Sequence, residues 1–226
     1  ESIVSVSWLL VGADGAFAPI ADTTLQLPQN GIFNFTTVDI PSGITVKFQR
    51  NAANTPVYIL ATGNVTIAGL IDISGGNGAR GDTGVLGSVP GGKGGLGGFD
   101  GGYGGEPGGI SVTQKAAGNG LGPGGGSPSA CGGGFGGSFG SKAWGVGSGD
   151  CYTSNSNLYG SDTLMPLIGG SGGGGGESIS SPLMYGSGGG GGGGAILIVS
   201  SESINVSGII NANGGNGGDN SGASAG

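Results

Sequence analysis

The sequence predicts an all-β protein with essentially no helix, built from short stacked strands and interrupted by a long glycine-rich insertion. Three observations predict this class: glycine accounts for 62 of the 226 residues, β-forming residues occur in short alternating runs, and one strand pattern occurs twice. No segment shows the apolar periodicity of about 3.6 residues that marks an amphipathic helix.

The N-terminal region, residues 1–78, is predicted to consist of strands. Ile44, Val46 and Phe48 alternate with Thr45 and Lys47, which is the two-residue period of a half-buried strand. A Pro-Ser-Gly turn signal precedes that run. We therefore treat residues 1–78 as an N-terminal β region.

The repeat links the end of this region to the C-terminal part of the chain. VYILATGNVTIAGLIDISGGNG at 57–78 aligns without gaps with ILIVSSESINVSGIINANGGNG at 196–217, an offset of 139 residues. This pattern is typical of coils of a parallel β-helix or of a small β-sandwich, and such coils need neighbours to bury their apolar faces. We expect residues 195–226 to pack on the N-terminal region, with the shared Gly69 and Gly208 turning a corner at positive φ.

The insertion, residues 79–194, has an order of its own. Gly-Gly-X triplets run through 91–99 and resume at 101–106. A period of three suits a left-handed helix of the polyproline II type, and two glycines in each triplet leave two faces free for neighbouring helices. The sequence therefore predicts a polyglycine II-like bundle, with a flexible loop as the alternative.

The two cysteines, Cys131 and Cys151, are predicted to form a disulfide. Closing a loop of this size would stabilise the fold by about 3 kcal/mol. Disulfides persist in oxidising compartments, so we expect a secreted, extracellular or cell-surface protein. The alternative is a pair of free thiols in a cytosolic protein.

The composition removes most catalytic chemistry. The chain has no histidine, which excludes histidine-based triads and most zinc sites. Its 13 acidic residues do not cluster in the sequence, so we expect no catalytic residues, no cofactor and no enzymatic activity. Gly214–Asp219 matches the start of a calcium-binding nonapeptide, which makes Asp219 a weak calcium candidate.

Several partners are equally improbable from the sequence. The six basic residues are scattered, which argues against a nucleic-acid partner. No apolar run approaches the ~20 residues that span a bilayer, so we expect no membrane insertion. The aromatic residues at triplet tips could pack in the core, line an interface or bind a glycan: Phe99, Tyr103, Phe135 and Phe139.

These residues carry two resemblances. The repeat, with its IDISGGNG and IINANGGNG ends, resembles bacterial secreted glycine-rich proteins of the β-helix type, over about 32–78 and 188–217. Such proteins are surface or matrix components. The Gly-Gly-X triplets, over at most 91–194, are similar to the polyglycine II bundles of phage tail-tip adhesins and of a springtail antifreeze protein. Neither resemblance supplies a catalytic residue.

Charged residues make up only 8 % of the chain, against about 25 % in ordinary domains. Such a surface is expected to be covered by copies of the same chain, so the first hypothesis is a subunit of a self-assembling extracellular filament or matrix, joined head to tail. The alternative is a surface or phage-tip adhesin that binds a cell-surface glycan or protein through loops near 154–168. The candidate assembly strand lies in the first ten residues: Ile3, Val4, Val6, Trp8, Leu9 and Leu10.

Overall fold

The structure is a computed structural model that describes residues 11–81, 89–107, 115–128, 134–140, 157–161, 163–180 and 183–219. Within these ranges the chain is all-β and contains no helix. It therefore also has, within these ranges, no helix of the length and apolarity needed to cross a membrane.

Twelve strands follow one another along the described chain. They are β1 (Gly15–Phe17), β2 (Thr23–Gln26), β3 (Ile32–Ile40), β4 (Thr45–Gln49), β5 (Val57–Ala61), β6 (Val65–Ile67), β7 (Leu70–Asp72), β8 (Ile179–Ser180), β9 (Leu183–Met184), β10 (Ile196–Ser200), β11 (Ile204–Val206) and β12 (Ile209–Asn211). The strands β8 and β9 form a separate antiparallel pair.

The other ten strands form two parallel sheets. One has the order β10-β5-β3-β6-β11 with β1 also on β3, and the other has the order β12-β7-β4-β2. The pairings group the strands into four successive layers: β1 with β2, β3 with β4, β5 to β7, and β10 to β12. Each layer therefore contributes strands to both sheets.

The third and fourth layers are the two copies of the repeat. Ile196 pairs with Val57, Ile204 with Val65 and Ile209 with Leu70, all in parallel register. The offset at which the two copies align in the sequence is thus the register in which their strands pair. The side chains of Ser203 and Asn64, also at this offset, share a hydrogen bond of 2.7 Å.

The core of these layers is made of β-branched side chains stacked on one another. Ile40 in the second layer and Ile67 and Ile71 in the third are fully buried. Phe33 and Phe35 stack with ring centroids 5.4 Å apart, and Phe17 of the first layer stacks on Phe35 at 5.1 Å. The second and third layers are enclosed because each has a paired layer on both sides.

The shared glycine of the repeat lies where two layers approach closely. A methyl group on Gly69 would overlap the carbonyl oxygens of Ile44 and Pro41, and one on Gly208 would overlap the carbonyl oxygen of Gly69. Neither glycine adopts a positive φ. The expectation of positive φ at this corner was wrong, because the requirement for glycine comes from backbone contact between layers rather than from the turn itself.

The chain divides into two compact units. The layered strands form unit 1, Glu1–Asp72 and Ile196–Asn211, and the remainder, Ile73–Ala195 and Ala212–Gly226, forms unit 2. From the sequence, the boundaries were predicted to fall after residues 78 and 194 instead. In the structure the two GGNG segments lie in unit 2, because their backbones hydrogen-bond to the glycine-rich segments.

Unit 2 consists mainly of extended glycine-rich segments joined by backbone hydrogen bonds. Segment 188–194, for example, receives a bond of 2.8 Å from Gly92 N–H at the carbonyl oxygen of Gly189, and another from Gly95 at that of Gly192. Where segments meet, added methyl groups would overlap neighbouring backbone atoms. Side chains are therefore excluded from these contacts.

Candidate assembly edge

The fourth layer lies at one end of the stack of strands in unit 1. Its strands β10, β11 and β12 lie at the ends of both sheets, and the described strands pair with them on one side only. The opposite edge of a parallel strand carries backbone N–H and C=O groups that can accept another strand. Among the described strands, the fourth layer is therefore an open edge across both sheets.

The side chains of this layer are apolar and partly exposed. Ile204 is 48 % exposed, Val206 46 % and Ile209 64 %. The residues one layer below, Val65 and Ile67, pair with the first two and are fully buried. Equivalent positions of the same repeat are thus enclosed in one copy and uncovered in the other.

The edge lacks the features that usually discourage strand addition. Residues 196–211 contain one charged residue, Glu202, and no proline. Natural edge strands commonly carry lysine, proline or inward-pointing charges that prevent pairing with another chain. Its composition therefore favours pairing rather than protection.

The first layer lies at the other end of the stack. β1 pairs with β3 through an irregular register, and β2 pairs with β4. Asp14 and Asp22 accept hydrogen bonds from the backbone N–H groups of Asn34 and Thr45, at 2.6 and 2.8 Å. These carboxylates are turned toward the second layer and occupied by its backbone.

Some of the predicted site residues fall outside the described ranges. The candidate assembly strand at Ile3–Leu10 does, and so do Cys131 and Cys151. Both predictions therefore stay predictions. Asp219 is exposed, and the described residues contain no group of three or more His, Cys, Asp or Glu side chains that could hold a metal ion.

The aromatic residues of the triplets have different surroundings. Phe135 is buried, whereas Tyr103 is 43 % exposed and has the ammonium of Lys115 at 5.1 Å from its ring centroid. Phe139 packs edge-on against Tyr159, with centroids 5.0 Å apart. These residues do not form one cluster.

A second surface surrounds the Phe139–Tyr159 pair. A small cavity of about 220 Å³ is lined by Phe139, Leu158, Tyr159 and Ser161, and Leu158 is 53 % exposed. The Tyr159 hydroxyl donates to the carbonyl oxygen of Gly169 and accepts from Ser171. Burial raises the pKa of Tyr159 above its ordinary value of 10.0, and the hydrogen bond from Ser171 partly offsets this rise.

Three lysine side chains form local ion pairs. Lys47 lies 3.5 Å from Asp72, Lys93 lies 2.8 Å from Asp100, and Lys115 lies 3.2 Å from Glu106. Each pair joins neighbouring segments of one unit. Exposed pairs of this kind contribute about 0–1 kcal/mol, so they position segments without dominating stability.

The assembly strand was predicted at the N-terminus, and the open edge formed by Ile204, Val206 and Ile209 was not predicted from the sequence. A signal for it was present, because the repeat at 57–78 has a second copy at 196–217, and the outer of two stacked copies has a neighbouring copy on one side only. A stack of such coils has an outer surface wherever the repeat stops.

Comparisons with known proteins add no relative. No family model, no curated protein and no solved structure matches the chain.

Proposed function

We propose that the chain is a structural subunit of a self-assembling extracellular filament or matrix, and that copies join head to tail through the open fourth layer. The observation that carries the proposal is an apolar, nearly uncharged sheet edge whose side chains match those of the buried layer below it. A contact between two different surfaces of one chain repeats without closing and builds a filament.

The proposal includes the finer architecture of both units. Unit 1 is a short parallel β-helix, which is supported by four layers of parallel-paired strands, the third and fourth of them in the register of the repeat. Unit 2 is a polyglycine II-like bundle, which is supported by backbone hydrogen bonds that recur at every third residue. Unit 1 can be extended by stacking further layers, and the interior of unit 2 is mostly glycine backbone with a few buried side chains, among them Leu96, Phe135 and Ser138.

The donor in this joint is the first ten residues of the next subunit. They carry Ile3, Val4, Val6, Trp8, Leu9 and Leu10, a β-forming run able to pair with an open parallel edge. Pairing would cover Ile204, Val206 and Ile209. Covering a half-exposed aliphatic side chain contributes about 1 kcal/mol, so the three together change the association constant by about two orders of magnitude.

The experiment that tests this is electron microscopy and sedimentation of two altered chains. Deleting Glu1–Leu10 removes the donor, and Ile204→Lys places a charge on the acceptor. Both are expected to give folded monomers that do not polymerise. Leu121→Lys is a matched control, because Leu121 is 57 % exposed and belongs to unit 2 rather than to the fourth layer.

If filaments persist unchanged after both alterations, the proposed joint between subunits is wrong. Filaments lost after Leu121→Lys as well would show that added charge, rather than the edge, is responsible. Circular dichroism of each variant establishes that the strands are retained.

A second candidate function, an adhesin, is favoured by one observation. The surface near the Phe139–Tyr159 pair continues into exposed Leu164 and Met165, 55 % and 62 % exposed, and Leu164 adopts φ 53°. A left-handed backbone at a branched apolar residue is costly, and such strain concentrates at functional sites. Binding of cells or a glycan array by a discrete particle, lost in Leu164→Gly with Met165→Ser, is the result expected of an adhesin.

A further inference from the structure

Segment 188–194 of unit 2 is surrounded by other backbone segments. Its N–H groups donate in turn to two of them, and its C=O groups accept from three others. The donors point to segments 73–79 and 99–102, and the acceptors face segments 89–95, 170–176 and 212–218. Five segments therefore contact it through backbone hydrogen bonds.

The bonds follow a period of three. The N–H groups of Gly188 and Gly191 reach segment 73–79, and those of Gly189 and Gly192 reach segment 99–102. A chain with three residues per turn directs its N–H groups in three directions. The third direction belongs to Gly190 and Gly193, whose N–H groups have no acceptor among the described residues.

Segment 170–176 shows the same period of three, but here carbonyl oxygens rather than N–H groups lack partners in one direction among the described residues. Its N–H groups donate to several neighbours, including Gly193, Gly190 and Phe135. The carbonyl oxygens of Gly170 and Gly173 accept from Phe99 and Gly102, and that of Gly172 accepts from Gly126. The carbonyl oxygens of Ser171 and Gly174 have no donor among the described residues.

These unpaired groups lie along one groove. Its volume is about 520 Å³, and its lining includes Ser171, Gly174, Gly190 and Gly193. Segments 134–139 and 214–218 form its sides. Segments 170–176 and 188–194 run antiparallel, because Gly170 N–H donates to the carbonyl oxygen of Gly193 and Gly173 N–H to that of Gly190. The N–H of Gly193 and the C=O of Ser171 are therefore near one another, and so are the N–H of Gly190 and the C=O of Gly174.

We propose that this groove is a binding site for an extended glycine-rich peptide segment, with two glycines in every three residues, supplied by a separate protein chain. The segment would accept hydrogen bonds from Gly190 and Gly193 and donate to Ser171 and Gly174. Gly190 and Gly193 are three residues apart, and so are Ser171 and Gly174. In a three-fold extended helix this separation is about 9 Å, which equals the distance between residues j and j+3 of a bound peptide of the same conformation.

The restriction to glycine follows from the walls. A methyl group on Gly134 or Gly137, in the side of the groove, would overlap the carbonyl oxygens of Gly174 or Ser171. Segments in this unit thus approach at distances that leave no room for Cβ atoms. An inserted segment meets the same walls on two faces, and only its third face, toward solvent, has room for a side chain.

The bound segment would satisfy four backbone groups that have no partner among the described residues. Leaving a buried N–H or C=O group without a partner costs about 1–3 kcal/mol. Gly190 and Gly174 are both buried, so water reaches them poorly. Pairing of these groups favours a peptide backbone over any ligand that has only donors or only acceptors. The site is independent of the open edge in unit 1 and does not rest on the filament proposal.

In the test, the full chain is titrated with a synthetic peptide of Gly-Gly-Ser repeats, and binding is measured by nuclear magnetic resonance. The expected result is saturable binding with slowed amide hydrogen exchange at Gly190 and Gly193. A peptide of Gly-Ala-Ser repeats is expected to bind at least tenfold more weakly, because its alanine Cβ atoms meet the groove walls.

A groove-filling variant separates this site from the rest of the bundle. Gly217 is exposed, and an added Cβ there would lie 3.8 Å from the carbonyl oxygen of Gly188, which is ordinary contact. Gly217→Leu is therefore expected to leave the fold intact and to weaken peptide binding at least tenfold. Gly140→Leu is the matched control, since a Cβ at Gly140 has nothing within 4 Å and Gly140 does not line this groove.

Three results would overturn the proposal. The first is absence of Gly-Gly-Ser binding at millimolar peptide. The second is equal binding by the two peptides or by Gly217→Leu. The third is full protection of the Gly190 and Gly193 amides before peptide is added, because this would mean that the chain itself already fills the groove.

Discussion

At the scale of single residues, glycine is required in this chain for two different physical reasons. Gly31 and Gly43 adopt φ of 76° and 83°, a backbone conformation that other residues avoid. Gly69 has no such φ, but its Cα lies against the carbonyl oxygens of Ile44 and Pro41. The first reason is conformational and the second is steric.

The steric reason predicts that Gly69→Ala destabilises unit 1 by about 1–3 kcal/mol, the usual cost of overpacking a close contact. Gly140→Ala, where an added Cβ meets nothing, is expected to change stability by less than about 0.5 kcal/mol. Urea unfolding of both variants measures the difference. Equal effects would contradict close packing at Gly69.

Tyr159 provides a prediction about pH at the same scale. Its pKa is raised in the folded state, so the folded chain retains the phenol proton at a pH where the unfolded chain has lost it. The stability that the group contributes is therefore complete below pH 10 and is lost as pH rises through the folded pKa.

Tyr159→Phe removes the two hydrogen bonds of the hydroxyl and is expected to cost about 1 kcal/mol at neutral pH. The difference in unfolding free energy between the two chains should shrink above pH 10. Urea titrations from pH 7 to pH 11 measure this difference. A constant difference over that range would contradict the raised pKa.

At the scale of elements, the two copies of the repeat are the same structure in different surroundings. Ile67 in β6 is fully buried, and Val206, its paired residue in β11, is 46 % exposed. A layer is buried only when both neighbouring layers are present. The energetic role of a strand residue therefore depends on its layer more than on its identity.

This difference predicts that truncations at two paired positions affect different properties, subunit stability in one case and polymerisation in the other. Ile67→Ala is expected to destabilise the isolated subunit by about 2–5 kcal/mol, the cost of a cavity in a packed core. Val206→Ala should change subunit stability by less than about 1 kcal/mol while weakening polymerisation. Thermal unfolding and the critical concentration for assembly measure the two effects separately. A loss of subunit stability as large in Val206→Ala would contradict an open fourth layer.

At the scale of the whole molecule, both the small fraction of charged residues and the net charge of −7 affect assembly. Six basic and thirteen acidic residues leave few ions at any joint, but copies of like net charge repel one another. Salt screens this repulsion, and beyond the Debye length, about 10 Å at 0.1 M salt, little of it remains.

We therefore expect the critical concentration for assembly to fall modestly when sodium chloride is raised from low to physiological ionic strength, and to fall further in sodium sulfate. The first change screens the net charge, and the second also strengthens burial of apolar groups. Light scattering as a function of protein concentration measures both. Assembly that weakens steadily with salt would indicate a joint held by ion pairs.

The sequence by itself determined the all-β class, the absence of a 3.6-residue pattern and the alignment of the two strand copies. It did so because alternation of apolar residues and repetition of a strand pattern are local properties. The register of β10–β12 on β5–β7 follows the same alignment, since in-register parallel pairing places like residues on like residues.

Only the tertiary structure decided which apolar residues are uncovered and which backbone groups lack partners. Val65 and Ile204 have the same place in the repeat, and their exposure differs because one layer has a neighbour on both sides and the other on one. Likewise, Gly190 and Gly191 are identical in a run of glycines, and only the arrangement of surrounding segments gives the Gly191 N–H an acceptor, whereas the Gly190 N–H has none in the part of the chain that the structure describes. Burial and hydrogen bonding depend on what lies across the fold, which a local pattern does not specify.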